Sequence, residues 1–403
     1  MVVNLELPLY PFGVGSLHME ETFLITSGGC RRLDSSVPTH AVEIAAGGVT
    51  RVSTVDDILS EALDREPDLE PANPQTGITR LLRSRDLAIL VVAFMLFAFF
   101  DLVNSRMAAQ TTLVAMARTM APLGIVAAGM TCLFVAGELD LSVGGLYGLL
   151  MVIISILIEK RDVNPWLAMA VIIALGLGVG AINGLLVTRV GLPSFIATLG
   201  MWIALRGAGN LLSGGIASAS TKTTLDYYRF FGSNVPGTAV PTIFALMLIV
   251  VLIAGIILAK TRFGSDVYST GGNAESARNN GIQTRRVKWT CFVLTGGLVG
   301  LAAGLQFGRL ANSPFNGGNG FELQVIAGVI IGGVGLFGGR GTVFGSLIGV
   351  LILTMLTSGL ILMGVTQFWD GIVAGLVILA AAGLDVVVRR VGAGAQQPRE
   401  VLA

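Results

Sequence analysis

The run PTIFALMLIVVLIAGIILA occupies Pro241–Ala259 and contains no charged residue. An α-helix rises 1.5 Å per residue, so about 20 residues cross the roughly 30 Å of hydrocarbon in a bilayer. This run therefore predicts a transmembrane helix. A second apolar run, Trp289–Gly308, follows after a polar interval that contains GGNAESARNNGI at residues 271–282. The polar interval needs an explanation, because it separates two such helices.

Composition extends this prediction to most of the chain. Of 403 residues, 53% are hydrophobic, 13% are charged and 54 are glycine. Soluble domains carry about 25% charged residues, and glycine is commoner in membrane helices than in soluble ones. The net charge of +1 gives no indication of nucleic-acid binding. Both histidines, His18 and His40, lie near the N-terminus, so no metal site is expected, and Cys132 and Cys291 fall in apolar runs where a disulfide is not expected.

The pattern of apolar runs predicts an all-α, polytopic integral membrane protein with about ten transmembrane helices. The predicted spans lie near residues 87–103, 112–136, 142–158, 166–188, 193–212, 241–260, 289–309, 322–338, 342–363 and 368–388.

Three segments lie outside these spans. Residues 1–80 are rich in proline and acidic residues and lack sustained apolar periodicity, so we expect a largely disordered cytoplasmic extension. Within it, Val55–Leu63 could form one short helix capped by Ser53 or Thr54. The membrane body covers residues 81–390 with a large loop at 261–288, and residues 391–403 form a C-terminal tail.

Basic residues predict the orientation, because cytoplasmic loops carry an excess of Lys and Arg. They cluster before the first span, in the 261–288 region and after the last span: Arg80, Arg83, Arg85, Lys260, Arg262, Arg278, Arg285, Arg286, Lys288, Arg389 and Arg390. With an even number of spans, all three clusters fall on one side. Both termini are therefore expected in the cytoplasm, with residues 213–240 outside.

Glycines recur at intervals of four in several spans. Such spacing places a flat strip along a helix and lets a neighbouring helix approach closely. The predicted packing positions are Gly176, Gly180, Gly184, Gly296, Gly300 and Gly304.

Polar residues inside or between the spans are the candidates for a substrate pathway, because charged side chains at membrane depth are costly. The turn GELDLSVGG, residues 137–145, contains two carboxylates. Either Asp140 or Ser142 caps the next helix, or the turn is a helix break near the pathway, and these alternatives are compatible. Arg206 lies well inside the fifth span, either paired with a carboxylate such as Asp140 or lining a polar path. The full candidate set is Glu138, Asp140, Ser142, Asn183 and Arg206.

Two other motifs have plain explanations. LSGG, residues 212–215, matches the start of the signature of ATP-binding-cassette ATPases, but no G-x-x-x-x-G-K-[ST] phosphate loop exists in the chain. A glycine helix terminus explains it, and no catalytic residue or cofactor is expected. In FELQVIAGVIIGGVGLFGGRG, residues 321–341, Glu322 opens a helix and the glycines around Arg340 make a compact cytoplasmic turn.

Taken together, residues 85–390 resemble the permease family of bacterial ABC sugar importers of the ribose and xylose type. Four stretches carry the resemblance: GMTCLFVAGELDLSVGG (129–145), NGLLVTRVGLPSFIATLGMWIALRG (183–207), GGNAESARNNGI (271–282) and ELQVIAGVIIGGVGLFGGRGTVFGSLIG (322–349). The resemblance implies that the chain is the transmembrane permease subunit of an ATP-driven importer for a monosaccharide or related polyol, and that the chain is not itself an enzyme. It also implies two ATPase subunits, a second permease chain and a periplasmic sugar-binding protein as partners, within membrane lipid.

The resemblance gives the polar interval a role. A permease without an ATPase receives mechanical work from another chain, and in this family a short cytoplasmic helix docks in a groove of the ATPase. Asn273 can cap a helix over Ala274–Asn279, and Gly281 can end it. The candidate coupling residues are Asn273, Glu275, Ala277, Arg278 and Gly281, with Ala277 expected to face the partner.

The main alternative is an ion-coupled secondary transporter of small polar solutes. Such a protein needs carboxylates or broken helices in mid-membrane, which GELDLSVGG supplies, but it does not need a coupling loop. An intramembrane enzyme is a weaker alternative, since no H-E-x-x-H or paired catalytic set occurs in any span.

Overall fold

The computed structural model describes residues 85–365, except 315 and 337, with residues 2–9, 17–26, 29–32, 40–45 and 48–54 and the single positions 369, 371, 372, 375, 376, 379 and 383. The chain forms two compact units, Met1–Ile78 and Thr79–Ala403.

The N-terminal unit contains strands, where the sequence led us to expect little regular structure. Strands β1 (Val2–Leu9), β2 (Leu17–Thr26) and β3 (Gly29–Arg32) form one antiparallel sheet, and β4 (His40–Ala45) and β5 (Gly48–Thr54) form another. The helix expected over Val55–Leu63 falls outside the described residues. The assignment of residues 1–80 to a cytoplasmic extension stays a prediction.

The second unit is built from helices. They are α1 (Arg85–Val103), α2 (Gln110–Val135), α3 (Ser142–Glu159), α4 (Pro165–Leu185, continued by a π-helical turn at Leu186–Val190), α5 (Ser194–Ser213), α6 (Asp226–Gly232), α7 (Thr242–Lys260), α8 (Arg262–Gly272), α9 (Ala274–Asn279), α10 (Thr284–Leu310), α11 (Phe321–Ile331) and α12 (Val343–Leu362). Two short strands, β6 (Ser218–Ala219) and β7 (Asn312–Ser313), pair with each other.

Within the part of the chain that the structure describes, seven helices are long and apolar enough to cross a membrane: α2, α3, α4 with its π-helical turn, α5, α7, α10 and α12. Two shorter apolar helices, Ile89–Val103 within α1 and the whole of α11, accompany them. The predicted all-α, polytopic class is confirmed. The count of ten stays a prediction, because most of the last expected span, 368–388, lies outside the described residues.

The expected span over 322–338 is not one helix, which corrects the prediction. Helix α11 has 11 residues and ends at Ile331, so it rises only about 16 Å. At one end of the bundle β7 pairs with β6, and at the other the Gly339 N–H donates to the Val135 carbonyl at 2.9 Å. The chain between these ends therefore crosses the bundle as an irregular loop, a short helix and a turn.

Glycine makes this irregular crossing possible. Gly318 and Gly320 have φ of +80° and +74°, a region that disfavours other residues. A Cβ on Gly318 would lie 3.0 Å from the Gly148 amide nitrogen on α3, so the loop backbone touches a helix backbone. Irregular backbone at membrane depth is tolerated only where protein or a polar cavity surrounds it, and α3 provides that surrounding here.

The predicted glycine strips of α4 and α10 face each other. A Cβ on Gly300 would lie 2.8 Å from the Ile172 carbonyl oxygen, and one on Gly180 would lie 3.0 Å from the Phe292 carbonyl carbon. Added methyl groups at Gly176 and Gly296 would each collide with the other's carbonyl oxygen. Gly184 and Gly304 extend the strip against Trp289 and Met169. Such backbone contact maximises dispersion where lipid gives no hydrophobic driving force between helices.

The helices divide into buried and peripheral sets. Most residues in the apolar stretches of α2, α3, α10 and α12 are buried, whereas fewer than a third are buried in those of α4, α5 and α7. The peripheral helices expose large apolar side chains such as Phe195, Ile203 and Leu252. Exposed apolar surface of this extent marks a face that contacts lipid or another membrane subunit.

Candidate functional site: a polar seam and a capped cytoplasmic helix

Asp140 organises the break between α2 and α3. Its Oδ1 accepts hydrogen bonds from the Ser142 backbone N–H at 2.8 Å and from the Ser142 hydroxyl at 2.6 Å. The backbone N–H of Leu141, which lies between Asp140 and Ser142, donates to Thr198 Oγ1 on α5 at 3.1 Å. Asp140 therefore satisfies a free N–H at the start of α3, as the capping alternative expects.

Asn183 on α4 completes this cluster from another helix. Its Nδ2 donates to Ser142 Oγ at 2.8 Å and lies 3.4 Å from Asp140 Oδ2. Asp140, Ser142 and Asn183 are at most 2% exposed. The Asp140 carboxylate thus accepts hydrogen bonds from neutral groups. Together with the Leu141–Thr198 bond, this cluster links α3, α4 and α5 at the break between α2 and α3.

The other two candidates lie elsewhere. Glu138 forms an ion pair with Lys288 at the start of α10, with Oε1 and Nζ 2.6 Å apart. Arg206 Nη1 donates to Asn319 Oδ1 at 2.7 Å, and its guanidinium lies over the Trp202 ring at 5.4 Å. The suggested pairing of Arg206 with Asp140 is therefore wrong. The other alternative, that Arg206 lines a polar path, stays a prediction.

Arg206 belongs to a second polar group, between α3, α5 and the loop before α11. A cavity of only about 20 Å³ lies there, lined by glycine backbone of α3 and by Trp202, Arg206, Asn210 and Asn319. Such a volume suits about one water molecule. The Arg206–Asn319 bond closes this seam between two parts of the chain.

Glu322 lies beside this seam and opens α11. Its side chain is buried, and its Oε2 has no hydrogen-bond partner within the described residues. An added Cβ on Gly144 would collide with that oxygen, so the glycine makes room for the carboxylate. Sequence reasoning missed Trp202, Asn319 and Glu322 as site residues. For Asn319, the run ANSPFNGGNG, residues 311–320, was the available signal, since polar and glycine residues interrupt apolar sequence there.

Helix α9 forms as its sequence predicts. Asn273 Oδ1 accepts from the N–H groups of Glu275 and Ser276, each at 3.0 Å, and Gly281 follows the helix with φ of +83°. Ala277 is only 4% exposed, so it packs against the rest of the chain. The expectation that Ala277 faces a partner is therefore wrong. The exposed side of α9 carries Glu275, Ser276, Arg278 and Asn279.

Three features together define a multi-pass membrane permease. They are the long apolar helices, the irregular glycine-lined crossing beside buried polar groups, and the capped helix outside the spans. Residues 112–382 match the family model described as the permease component of branched-chain amino acid transport systems. The chain belongs to this family.

Named relatives are import permeases. The chain is 37% identical over 262 residues to the ribose import permease protein of Escherichia coli (strain K12), covering 65% of this chain and 81% of that protein. It is 33% identical over 311 residues to the fructose import permease protein of Rhizobium meliloti, covering 76% and 86%. It is 30% identical over 305 residues to the autoinducer 2 import system permease protein of Salmonella typhi, covering 75% and 86%. No solved structure matches the chain.

The Asp140 cluster gives a first prediction. Asp140→Asn should keep the fold, because its carbonyl oxygen can still accept both hydrogen bonds from Ser142, and Asn183 Nδ2 keeps its bond to Ser142 Oγ. Asp140→Ala leaves buried donors of Ser142 and Asn183 unpaired, which costs about 1–3 kcal/mol for each. Thermal unfolding of the purified variants in detergent should show a clear loss only for Asp140→Ala.

Arg206→Gln provides the control for that prediction. Since Arg206 and Asp140 do not touch, the effects of Asp140→Ala and Arg206→Gln on the unfolding free energy should add in the double variant. Equal damage from Asp140→Asn and Asp140→Ala would show instead that the negative charge itself is required.

Proposed function

We propose that this chain is the transmembrane permease subunit of an ATP-driven importer for a monosaccharide or a related polyol. The observation that carries the proposal is the combination of family membership with import permeases named for ribose, fructose and autoinducer 2 among the relatives. The exposed, capped helix α9 supports it, because an ATP-driven permease needs a firm element for a separate ATPase to move.

The proposed pathway passes the seam between α3, α5 and the loop before α11. Trp202 offers an aromatic face, and Arg206, Asn210 and Asn319 offer donors and acceptors suited to sugar hydroxyls. The cavity of about 20 Å³ is too small for a sugar, so this arrangement is a closed one. Opening requires the Arg206–Asn319 bond to break as α5 and the loop separate. The Asp140 cluster holds the neighbouring helix break in place.

The proposed assembly contains two permease chains, two ATPase subunits and a periplasmic sugar-binding protein. The face of α9 formed by Glu275, Ser276, Arg278 and Asn279 meets the ATPase. The basic residues around α9 and the start of α10 favour a cytoplasmic position for this end, and hence cytoplasmic termini in a bacterial inner membrane. No cofactor is proposed in this chain.

Reconstitution tests the function directly. Proteoliposomes that contain this chain and its cognate ATPase should take up a labelled monosaccharide, such as ribose or fructose, when given binding protein and MgATP. Liposomes with the permease alone and an imposed proton or sodium gradient serve as the control. Gradient-driven uptake without the ATPase would overturn the proposal in favour of a secondary transporter.

A further inference from the structure

A large groove lies at the end of the membrane body that carries α9, away from the polar seam. It has a volume of about 620 Å³ and lies between the π-helical end of α4 and the first turns of α10. Leu185, Ile282 and Trp289 form its apolar part. The Trp289 indole N–H donates to the Ala181 carbonyl at 3.2 Å, so this ring is held in place by α4.

The rim of the groove is strongly basic. Arg189, Arg278, Arg285 and Arg286 line it, and no acidic residue does. All four are exposed, and no ion pair involves any of them among the residues that the structure describes. Nearby, Lys288 on α10 and Glu138 in the turn before α3 form an ion pair, so their charges already neutralise each other. The rim therefore lacks counter-charges of its own, and a bound anion would relieve the mutual repulsion of the guanidinium groups.

The surroundings of the groove place it at the boundary between hydrocarbon and water. Beside it, Val190, Leu192 and Phe195 expose large apolar side chains, as expected for a surface covered by lipid. Tryptophan is enriched at the membrane interface, and Trp289 stands where α10 changes from basic to apolar sequence. A ligand that fits must therefore combine an anionic group with an apolar chain.

We propose that this groove binds an anionic glycerophospholipid of the cytoplasmic leaflet. The phosphate contacts Arg189, Arg285 and Arg286, and one acyl chain lies along Leu185 and Trp289. Basic pockets between transmembrane helices on the cytoplasmic side are a recognised type of lipid headgroup site. Charge alone would also attract an acidic protein surface, but a protein partner gives no reason for the apolar part beside the spans.

Because the groove joins α4, α9 and α10, a lipid in it would stabilise the base of the proposed coupling helix. Arg278 borders both the groove and the exposed face of α9, so it cannot separate lipid binding from partner binding. Arg189 and Arg286 lie on the π-helical turn and on α10 and are not part of that face, so they are the better positions for a test. The inference requires the membrane orientation but not the proposed substrate.

The test uses the full chain purified in detergent and compares Arg189→Gln/Arg286→Gln with a charge-matched control, Arg262→Gln/Arg340→Gln. The control arginines are also exposed, lie in the same cytoplasmic region and do not line the groove. Native mass spectrometry should count the lipid molecules bound after titration with phosphatidylglycerol or phosphatidylcholine. Inorganic phosphate is added in a separate titration as a competitor for the bound lipid. We expect one tightly held phosphatidylglycerol in the original chain and in the control, and about thirtyfold weaker binding in the groove variant.

Several results would overturn the proposal. Equal weakening in both double variants would indicate general surface charge, and equal binding of phosphatidylcholine would indicate no selection for an anion. Displacement of the lipid by millimolar inorganic phosphate would indicate a site for a free anion. If the original chain holds no lipid and the groove variant instead fails to assemble with the ATPase, a protein partner occupies the groove. Thermal unfolding of both variants checks that folding is intact.

Discussion

Gly296→Leu is expected to prevent formation of the folded permease. A Cβ at this position would lie 3.0 Å from the Gly180 amide nitrogen and 3.1 Å from the Gly176 carbonyl carbon. These neighbours are backbone atoms of another helix, so no side chain can rotate away, and α4 must separate from α10 along its length. Overpacking in a close-packed interior costs about 1–3 kcal/mol and sometimes more, and a leucine against backbone belongs at the upper end.

Gly178→Leu is the matched control for that substitution. Gly178 lies on α4 between two interface glycines, but a Cβ there would meet nothing within 4 Å. The leucine would extend into lipid, where it is as well solvated as any apolar side chain. Size-exclusion chromatography of detergent extracts should show a monodisperse peak for Gly178→Leu and loss of that peak for Gly296→Leu. Similar profiles for the two variants would mean that the glycine contact does not hold the helices together.

Ser276→Trp is expected to reduce ATP-driven uptake strongly while leaving the protein folded. The Ser276 side chain is exposed on α9, and only its backbone takes part in the cap with Asn273. A tryptophan there would therefore leave the helix intact but keep the proposed ATPase groove from closing on it. If that misfit costs about 1–3 kcal/mol, uptake and sugar-stimulated ATP hydrolysis by the complex should fall roughly fivefold to more than a hundredfold.

Two further variants make the result interpretable. Ser276→Ala removes the hydroxyl without adding bulk and should transport normally. Ala277→Trp should instead damage folding, because Ala277 is buried against the membrane body. Uptake and ATP hydrolysis that stay normal in Ser276→Trp, at normal abundance in the membrane, would show that this face of α9 does not contact the ATPase.

The local sequence determined much of the helical framework and all of α9. Nine of the ten expected spans contain a helix in the described residues, because the length and polarity of a run limit what can cross a bilayer. The cap at Asn273 and the positive φ at Gly281 were also predictable, since each depends on residues a few positions away. The spacing of the glycines predicted a close helix contact, although it could not name the partner helix.

Tertiary structure decided which polar groups meet. Asp140 is joined to Asn183, not to Arg206, and Arg206 is joined to Asn319, more than a hundred positions along the chain. It also decided that α11 ends at Ile331, where the backbone of Gly332 packs against α12, and that Ala277 faces inward. The hydropathy pattern of one segment shows how apolar that segment is. It does not show which helix packs against the segment, because that depends on residues far away in the sequence.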